Sequence, residues 1–230
     1  MIFRELRPGI TVAGEKIPAF FSDVLSPQNK YIYLIAGVHG DEVEGVYVLQ
    51  QLFEKIKNSS EIELPMIVIP ILNIDGYRAN TRGNARKVDL NRNYPSDQWT
   101  ATYTQETHYP GTAPLSEPEN QFLINLFAKF PPGFILSLHS WKPMLNYNGN
   151  CLDVAEFLQK YNSYEVVGEF TDHPTPGSLG ELAPTKYNAS VLTFECPLLS
   201  QGKTLAEIWA ENEKGLYDLF KSALIKSKIT

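Results

Sequence analysis

The chain has 230 residues, 43% hydrophobic and 20% charged, a balance that excludes a disordered or low-complexity protein. The length is enough for one domain over residues 1–230 with a sizeable core. Twenty basic against 26 acidic side chains leave a net charge of −6, which gives no basic stripe for nucleic acid. The longest apolar run, residues 66–74, contains Pro70 and is too short for a membrane span. Residues 1–7 hold no apolar stretch of an export signal, and only two cysteines occur, Cys151 and Cys196, in no metal-ligand spacing. The expectation is a cytoplasmic protein with no membrane and no nucleic-acid partner; the oligomeric state is not readable.

Taken in chain order, residues 11–13 and 19–21 flank Gly14-Glu15-Lys16 and predict an edge hairpin. Residues 31–38 form a continuous apolar, β-branched run, as expected of a strand covered on both faces. After Asp41, the apolar residues Val43, Val46, Leu49, Phe53 and Ile56 recur at helical spacing. Residues 66–72 read as a second buried strand. The span 91–116 is polar, carries Pro95, Pro110, Gly111 and Pro114, and lacks periodicity; so long an irregular stretch is expected to be functional or mobile. Ser116 and Glu119 predict a capping box ahead of a helix carrying Phe122, Leu123, Leu126, Phe127 and Phe130. Residues 134–138 give a third strand, Val154, Phe157, Leu158 and Tyr161 a helix, and residues 191–194 a fourth strand. Thr204 and Glu207 predict a second capping box, opening a helix through Leu205, Ile208, Trp209, Leu216, Leu219, Phe220 and Ala223. Strands alternating with helices imply an α/β sandwich, with helices on both faces of a mixed, mostly parallel sheet.

Two of the four histidines follow directly on predicted buried strands: His39 after residues 31–38, and His139 after residues 134–138. Ligands gather outside the carboxyl ends of strands in open α/β sheets, so these imidazoles and Glu42, three residues after His39, can meet at one point. Two histidines and one carboxylate with a fourth position open make a catalytic zinc site. Between residues 78 and 92 lie Arg78, Arg82, Arg86 and Arg92 among several asparagines, a mixture suited to holding a carboxylate. Glu195 ends an apolar strand, where burial is expensive without a partner; a water on the metal is such a partner, since the carboxylate can take its proton. His108, in a tyrosine-rich stretch, is read as a surface residue.

Together these elements resemble the zinc carboxypeptidase superfamily, the M14 metallopeptidases, in that family's order: His39-x-x-Glu42, Arg82, Asn91-Arg92, His139 and Glu195. Within it, Gly37-Val-His-Gly-Asp-Glu42, Val88-Asp-Leu-Asn-Arg-Asn-Tyr-Pro95, Leu115-Ser-Glu-Pro-Glu-Asn120 and Thr175-Pro-Gly-Ser-Leu-Gly180 resemble the branch of amidases that trim murein peptides. The resemblance implies a three-layer sandwich and one Zn2+ held by His39, Glu42 and His139. It implies that Arg82 stabilises the oxyanion, that Asn91 and Arg92 hold the substrate carboxylate, and that Glu195 is the general base. The family's mobile tyrosine is missing before Gly177-Ser178; His173 stands roughly in its place and is carried as a substrate-binding candidate. The implied reaction is hydrolysis of the γ-D-glutamyl–diamino acid bond of a small murein tripeptide. Rival enzymes are an N-acyl amino acid deacylase of the aspartoacylase or succinylglutamate desuccinylase type and a general zinc carboxypeptidase. A catalytically silent binder of cell-wall peptides is disfavoured by Glu195 and Arg82.

Overall fold

The computed structural model describes residues 1–26, 28–168 and 174–230. Four short strands come first: Phe3–Glu5 (β1), Gly9–Ile10 (β2), Lys16–Ile17 (β3) and Phe20–Ser22 (β4). The expected turn around Gly14 is there, with Gly14 at φ +89°, but the pairing around it differs from expectation. β2 pairs with β3, while β4 lies antiparallel to β1 instead of to residues 11–13. Side chains from elsewhere occupy the backbone of residues 11–13. Val12 N–H donates to Glu119 Oε1 at 3.2 Å and Ala13 N–H to Asp75 Oδ2 at 3.0 Å, and those donors are lost to a ladder.

The chain continues through Tyr31–Ala36 (β5), Val43–Lys57 (α1), Met66–Ile69 (β6), Ile74–Ala79 (α2), Pro118–Lys129 (α3), Pro132–Trp141 (β7), Met144–Asn148 (β8), Leu152–Asn162 (α4), Glu165–Val167 (β9), Leu179–Tyr187 (α5), Ser190–Pro197 (β10), Leu205–Lys221 (α6) and Ala223–Lys226 (α7). One eight-stranded sheet has the order β1-β4-β6-β5-β7-β10-β8-β9. Its middle four strands, β6, β5, β7 and β10, are parallel, and β4 and β8 flank them antiparallel. These central strands are mostly apolar because both faces are covered; the polar exceptions are Ser137, His139 and Ser140 on β7 and Ser190, Thr193 and Glu195 on β10. Leu34, Leu136 and Phe194 pack beneath α1, α4 and α6, while Tyr33, Ile135 and Val191 pack against α3 and α5 on the other side.

The expected helical stripes sit where burial requires them: Val46, Leu49, Phe53 and Ile56 of α1, and Ile208, Leu216, Leu219 and Phe220 of α6, face the same core. α6 opens on the expected capping box, Thr204 Oγ1 accepting from Glu207 N–H and Glu207 Oε2 from Thr204 N–H. The other expected box does not form. α3 starts at Pro118 with Glu117 as N-cap, Ser116 Oγ donates to Glu117 Oε1 at 2.7 Å, and Glu119 turns away to receive Val12 N–H and Asn84. The polar span is indeed irregular, with 3₁₀ turns only at Leu90–Arg92 and Glu106–His108. Asn93 pins it: its amide nitrogen donates to Pro110 O, Ala113 O and Ser116 Oγ within 3.0 Å. Among the described residues no helix is long and apolar enough to cross a membrane.

The strand order also creates a crevice. From β5 the chain crosses through α1 to β6 on one side, and later places β7 on the other. The order reverses between β5 and β7, so the sheet opens at their carboxyl ends.

Candidate active site

His39 leaves β5 after Gly37, whose φ of +60° turns the chain toward that crevice. Gly40 follows because its Cα rests on the backbone of α2; a Cβ there would meet Gly76 C at 2.0 Å. Glu42 precedes α1, yet its side chain does not cap the helix. It turns inward, Oε1 lying 2.7 Å from His39 Nδ1 and Oε2 2.8 Å from His139 Nδ1. His139 comes from the last residues of β7 and is paired in register with Glu195 of β10, so alternation along both strands puts their side chains on one face. Donor atoms of His39, Glu42 and His139 all lie within 4.8 Å of one another, and all three residues are buried.

Further contacts fix this group. Ser140 N–H donates to Glu42 Oε2 at 3.2 Å, and Gly45 N–H, in the first turn of α1, donates to Ser140 Oγ at 3.0 Å. Asp89 has no solvent exposure and holds three groups. Its Oδ1 lies 3.1 Å from His39 Nε2 and accepts from Asn91 N–H, and its Oδ2 accepts from Arg82 Nε and Nη2 at 3.0 and 2.9 Å. His139 Nε2 lies 3.0 Å from Ser137 Oγ. Both rings therefore turn Nδ1 toward Glu42 and use Nε2 for an outer partner, the arrangement by which metal-binding imidazoles are oriented. Two imidazoles and a carboxylate, with outer partners in place, suit a divalent cation and fit zinc in particular.

The electrostatics follow from burial and pairing. Burial would push the Glu42 carboxyl up, but the charges and hydrogen bonds of His39 and His139 outweigh it and hold the carboxyl well below its usual range. Asp89 is likewise held low by His39 and Arg82 against its own burial. His39 is raised: burial and Arg82 oppose its charge, and Glu42 and Asp89 overcome them. Glu195 behaves oppositely. Burial, with help from Glu42 and only partial relief from His139 and Arg82, raises it to about 8. Its Oε2 is buried with no hydrogen-bond partner among the described residues.

Seven residues singled out from the sequence, His39, Glu42, Arg82, Asn91, Arg92, His139 and Glu195, line one cavity of about 420 Å³. Arg82 sends Nη1 to within 3.5 Å of Glu42 Oε1. Asn91 Oδ1 accepts from Leu179 N–H at the start of α5, which leaves the amide's NH2 end for a ligand. Arg92 Nη1 donates to Asn91 O at 2.9 Å. His173 lies outside the described residues. His108 is no mere surface residue: with Gln105, Trp141 and Thr175 it lines the same cavity. The polar span folds back because Asp89 N–H donates to Tyr109 O at 2.8 Å. Sequence reasoning does not single out Asp89 itself. An acid two residues before Asn91, inside an arginine-rich stretch, is the available signal.

A family model described as zinc carboxypeptidase matches residues 9–196. Murein peptide amidase A of Vibrio campbellii is 29% identical over 208 residues, 86% of this chain and 81% of that protein. Among solved structures, the murein-tripeptide amidase of Escherichia coli O157 superposes with a TM-score of 0.79 at 24% identity, over 95% of this chain and 92% of that one. Carboxypeptidase A from Helicoverpa armigera gives 0.77 at 17%, over 96% and 69%. The α/β sandwich expected from the sequence is the fold these structures share.

Proposed function

The chain belongs to the zinc carboxypeptidase family, whose members are hydrolytic enzymes, and from that premise we propose that it hydrolyses the γ-D-glutamyl–diamino acid bond of murein peptides. The observation that carries the proposal is the meeting, in one cavity, of a His-Glu-His donor set, an acid whose buried oxygen has no partner among the described residues, and an Asn-Arg pair. The murein substrate is supported by the amidase relative and the amidase structure of similar fold.

Zinc held by His39, Glu42 and His139 would supply Lewis-acid polarisation of the scissile carbonyl and a water of lowered pKa. The chain's own residues do the rest. Asn91 and Arg92 grip the terminal carboxylate, so the bond cut is the last one. Glu195 takes a proton as water adds to the carbonyl carbon, and gives it to the amide nitrogen as the C–N bond breaks. Glu195 must be ionised to take that proton, and His139 and Arg82 favour the ionised form against its burial. Arg82, held on one edge by Asp89, offers the other edge to the developing oxyanion; losing such a donor costs about 10²–10³ in kcat.

A second cavity of about 490 Å³ meets the first at Thr175. Asp97, Glu181, Asn146 and Asn148 line it, and among the described residues no aromatic or long aliphatic side chain does. It suits the polar, amine-bearing side chain of a diamino acid better than an apolar one. Cys151 and Cys196 are both buried free thiols, which supports action in a reducing compartment, the cytoplasm.

The test is product analysis with purified, zinc-supplemented protein on L-alanyl-γ-D-glutamyl-diaminopimelate. Free diamino acid should appear, and a chelator should stop its release. Release only from ordinary peptides would make the enzyme a general carboxypeptidase. Release from N-acyl amino acids, whatever the chain length, would make it a deacylase.

A further inference from the structure

A γ-linked glutamyl residue carries something an ordinary peptide residue lacks at that point: a free α-carboxylate on the branch leading to the scissile carbonyl. If the amidase reading holds, on which this inference rests, a diaminopimelate substrate brings three carboxylates: the terminal one, met by Asn91 and Arg92; the one on the diamino acid side chain, which goes with that side chain into the second cavity; and the glutamyl α-carboxylate, which still lacks a partner. Two of Arg82's N–H groups are engaged by Asp89. His108 is half-buried, lines the cavity, and has had no role so far.

Its position is fixed from two sides. The 3₁₀ turn Glu106–His108 closes through His108 N–H to Gln105 O at 2.9 Å. The two residues that follow are tied down by Asp89 N–H to Tyr109 O and by Asn93 Nδ2 to Pro110 O, both at 2.8 Å. Asp89 thus anchors His108's turn, Arg82 and His39 together. Burial, then Arg82, then Arg92 lower the imidazole's pKa, so near neutrality the ring is uncharged and presents one N–H. The ring shares its cavity with Arg82, the group assigned to the scissile carbonyl, and so lies in the pocket that receives the residue on the amino side of that bond.

We infer that His108 is a specificity-determining residue, donating an N–H to a carboxylate carried by the residue on the amino side of the scissile bond, with Arg82 behind it. The assay compares γ-D-glutamyl-diaminopimelate peptides with their γ-D-isoglutaminyl counterparts, in which that carboxylate is a carboxamide. Acylated dipeptides with Glu or Gln before the terminal residue form a second series. Wild-type protein should favour the carboxylate by about ten- to hundredfold in kcat/KM, the worth of a hydrogen bond to a charged group. His108→Ala should collapse that ratio, chiefly through KM, with zinc content and melting temperature as wild type; His108→Gln, which keeps a donor, should restore part of it. If only the second series is cleaved, the amidase reading falls and the Glu/Gln ratio still judges His108. A ratio that His108→Ala leaves unchanged, equal losses on both members of a pair, or turnover of neither series overturns the inference.

Discussion

Replacing Glu195 by Gln separates the two properties assigned to it, proton transfer and an ionisation opposed by burial. The amide keeps the size of the side chain and cannot ionise. In the wild type the carboxyl's pKa moves from 4.5 in an unstructured chain to about 8 in the fold. At about 1.4 kcal/mol per tenfold change in proton affinity, that corresponds to ~5 kcal/mol. Relaxation and water around the buried charge reduce it to the order of 2–4 kcal/mol. The sign follows from linkage. The folded state binds the extra proton, so the wild type's advantage is complete below pH 4.5 and is lost as pH rises through about 8. The amide variant, with no proton to release, loses nothing over that window. Urea unfolding of the two proteins in the presence of a chelator should therefore give similar pH dependence below pH 4.5, and a variant gaining on wild type from there up to about pH 8. With zinc restored, the variant should bind the metal and lose about 10²–10⁴ in turnover. Parallel stability curves across the whole range, or wild-type turnover in E195Q, would refute the reasoning.

Asp89→Asn should lower both zinc affinity and kcat/KM by about 10–100-fold, because one carboxylate orients His39 and Arg82 together; metal content at limiting zinc and steady-state kinetics check it. Because folding holds Asp89 far below the ordinary carboxylate range, the stability it contributes is present at neutral pH and is lost progressively as pH falls from that range toward the depressed value; D89N should therefore show a shallower acid denaturation. Gly40→Ala forces a Cβ into the backbone of α2 and should cost about 3 kcal/mol or more, seen as a lowered melting temperature. Asn93→Ala releases three carbonyl or hydroxyl contacts that hold residues 110–116, and should raise KM several-fold while the zinc content stays at wild-type level. Unchanged KM in N93A would mean that the span is held by its other contacts.

The parts of this fold legible in the sequence are those where one local pattern had a single tertiary solution. Residues 31–36 and, but for Ser137, residues 134–138 are apolar without alternation, which suits a strand covered on both faces. The stripe of α6 and its Thr204 cap agree with each other. Where distant side chains intervene, the pattern misleads. Residues 11–13 look like half of a hairpin until Asp75 and Glu119 take their donors, and Ser116 looks like a cap until Asn93 and Glu117 engage it. α5 is hidden by Pro184 in its interior, and β8 by its asparagines. In the site, His39 and His139 stand out because strand ends are where an α/β sheet gathers ligands. Asp89 does not, since its importance lies in reaching His39 across 50 positions of sequence, a relation no local spacing carries. His108 looks like a surface residue for the same reason: it reaches the cavity only because residues 109 and 110 are tied to Asp89 and Asn93.

The donor set and the acid lie at or just past the carboxyl ends of β5, β7 and β10, three neighbouring parallel strands at the centre of the sheet, whereas Asn91, Arg92 and His108 sit on the irregular chain between β6 and β7. Asp89 couples the two, since it holds His39, Arg82 and the turn that carries His108. Loop grafts between residues 97 and 107, which leave the anchors of Asp89 and Asn93 on residues 109–116 in place, should therefore alter which amides are accepted without rebuilding the machinery that cuts them.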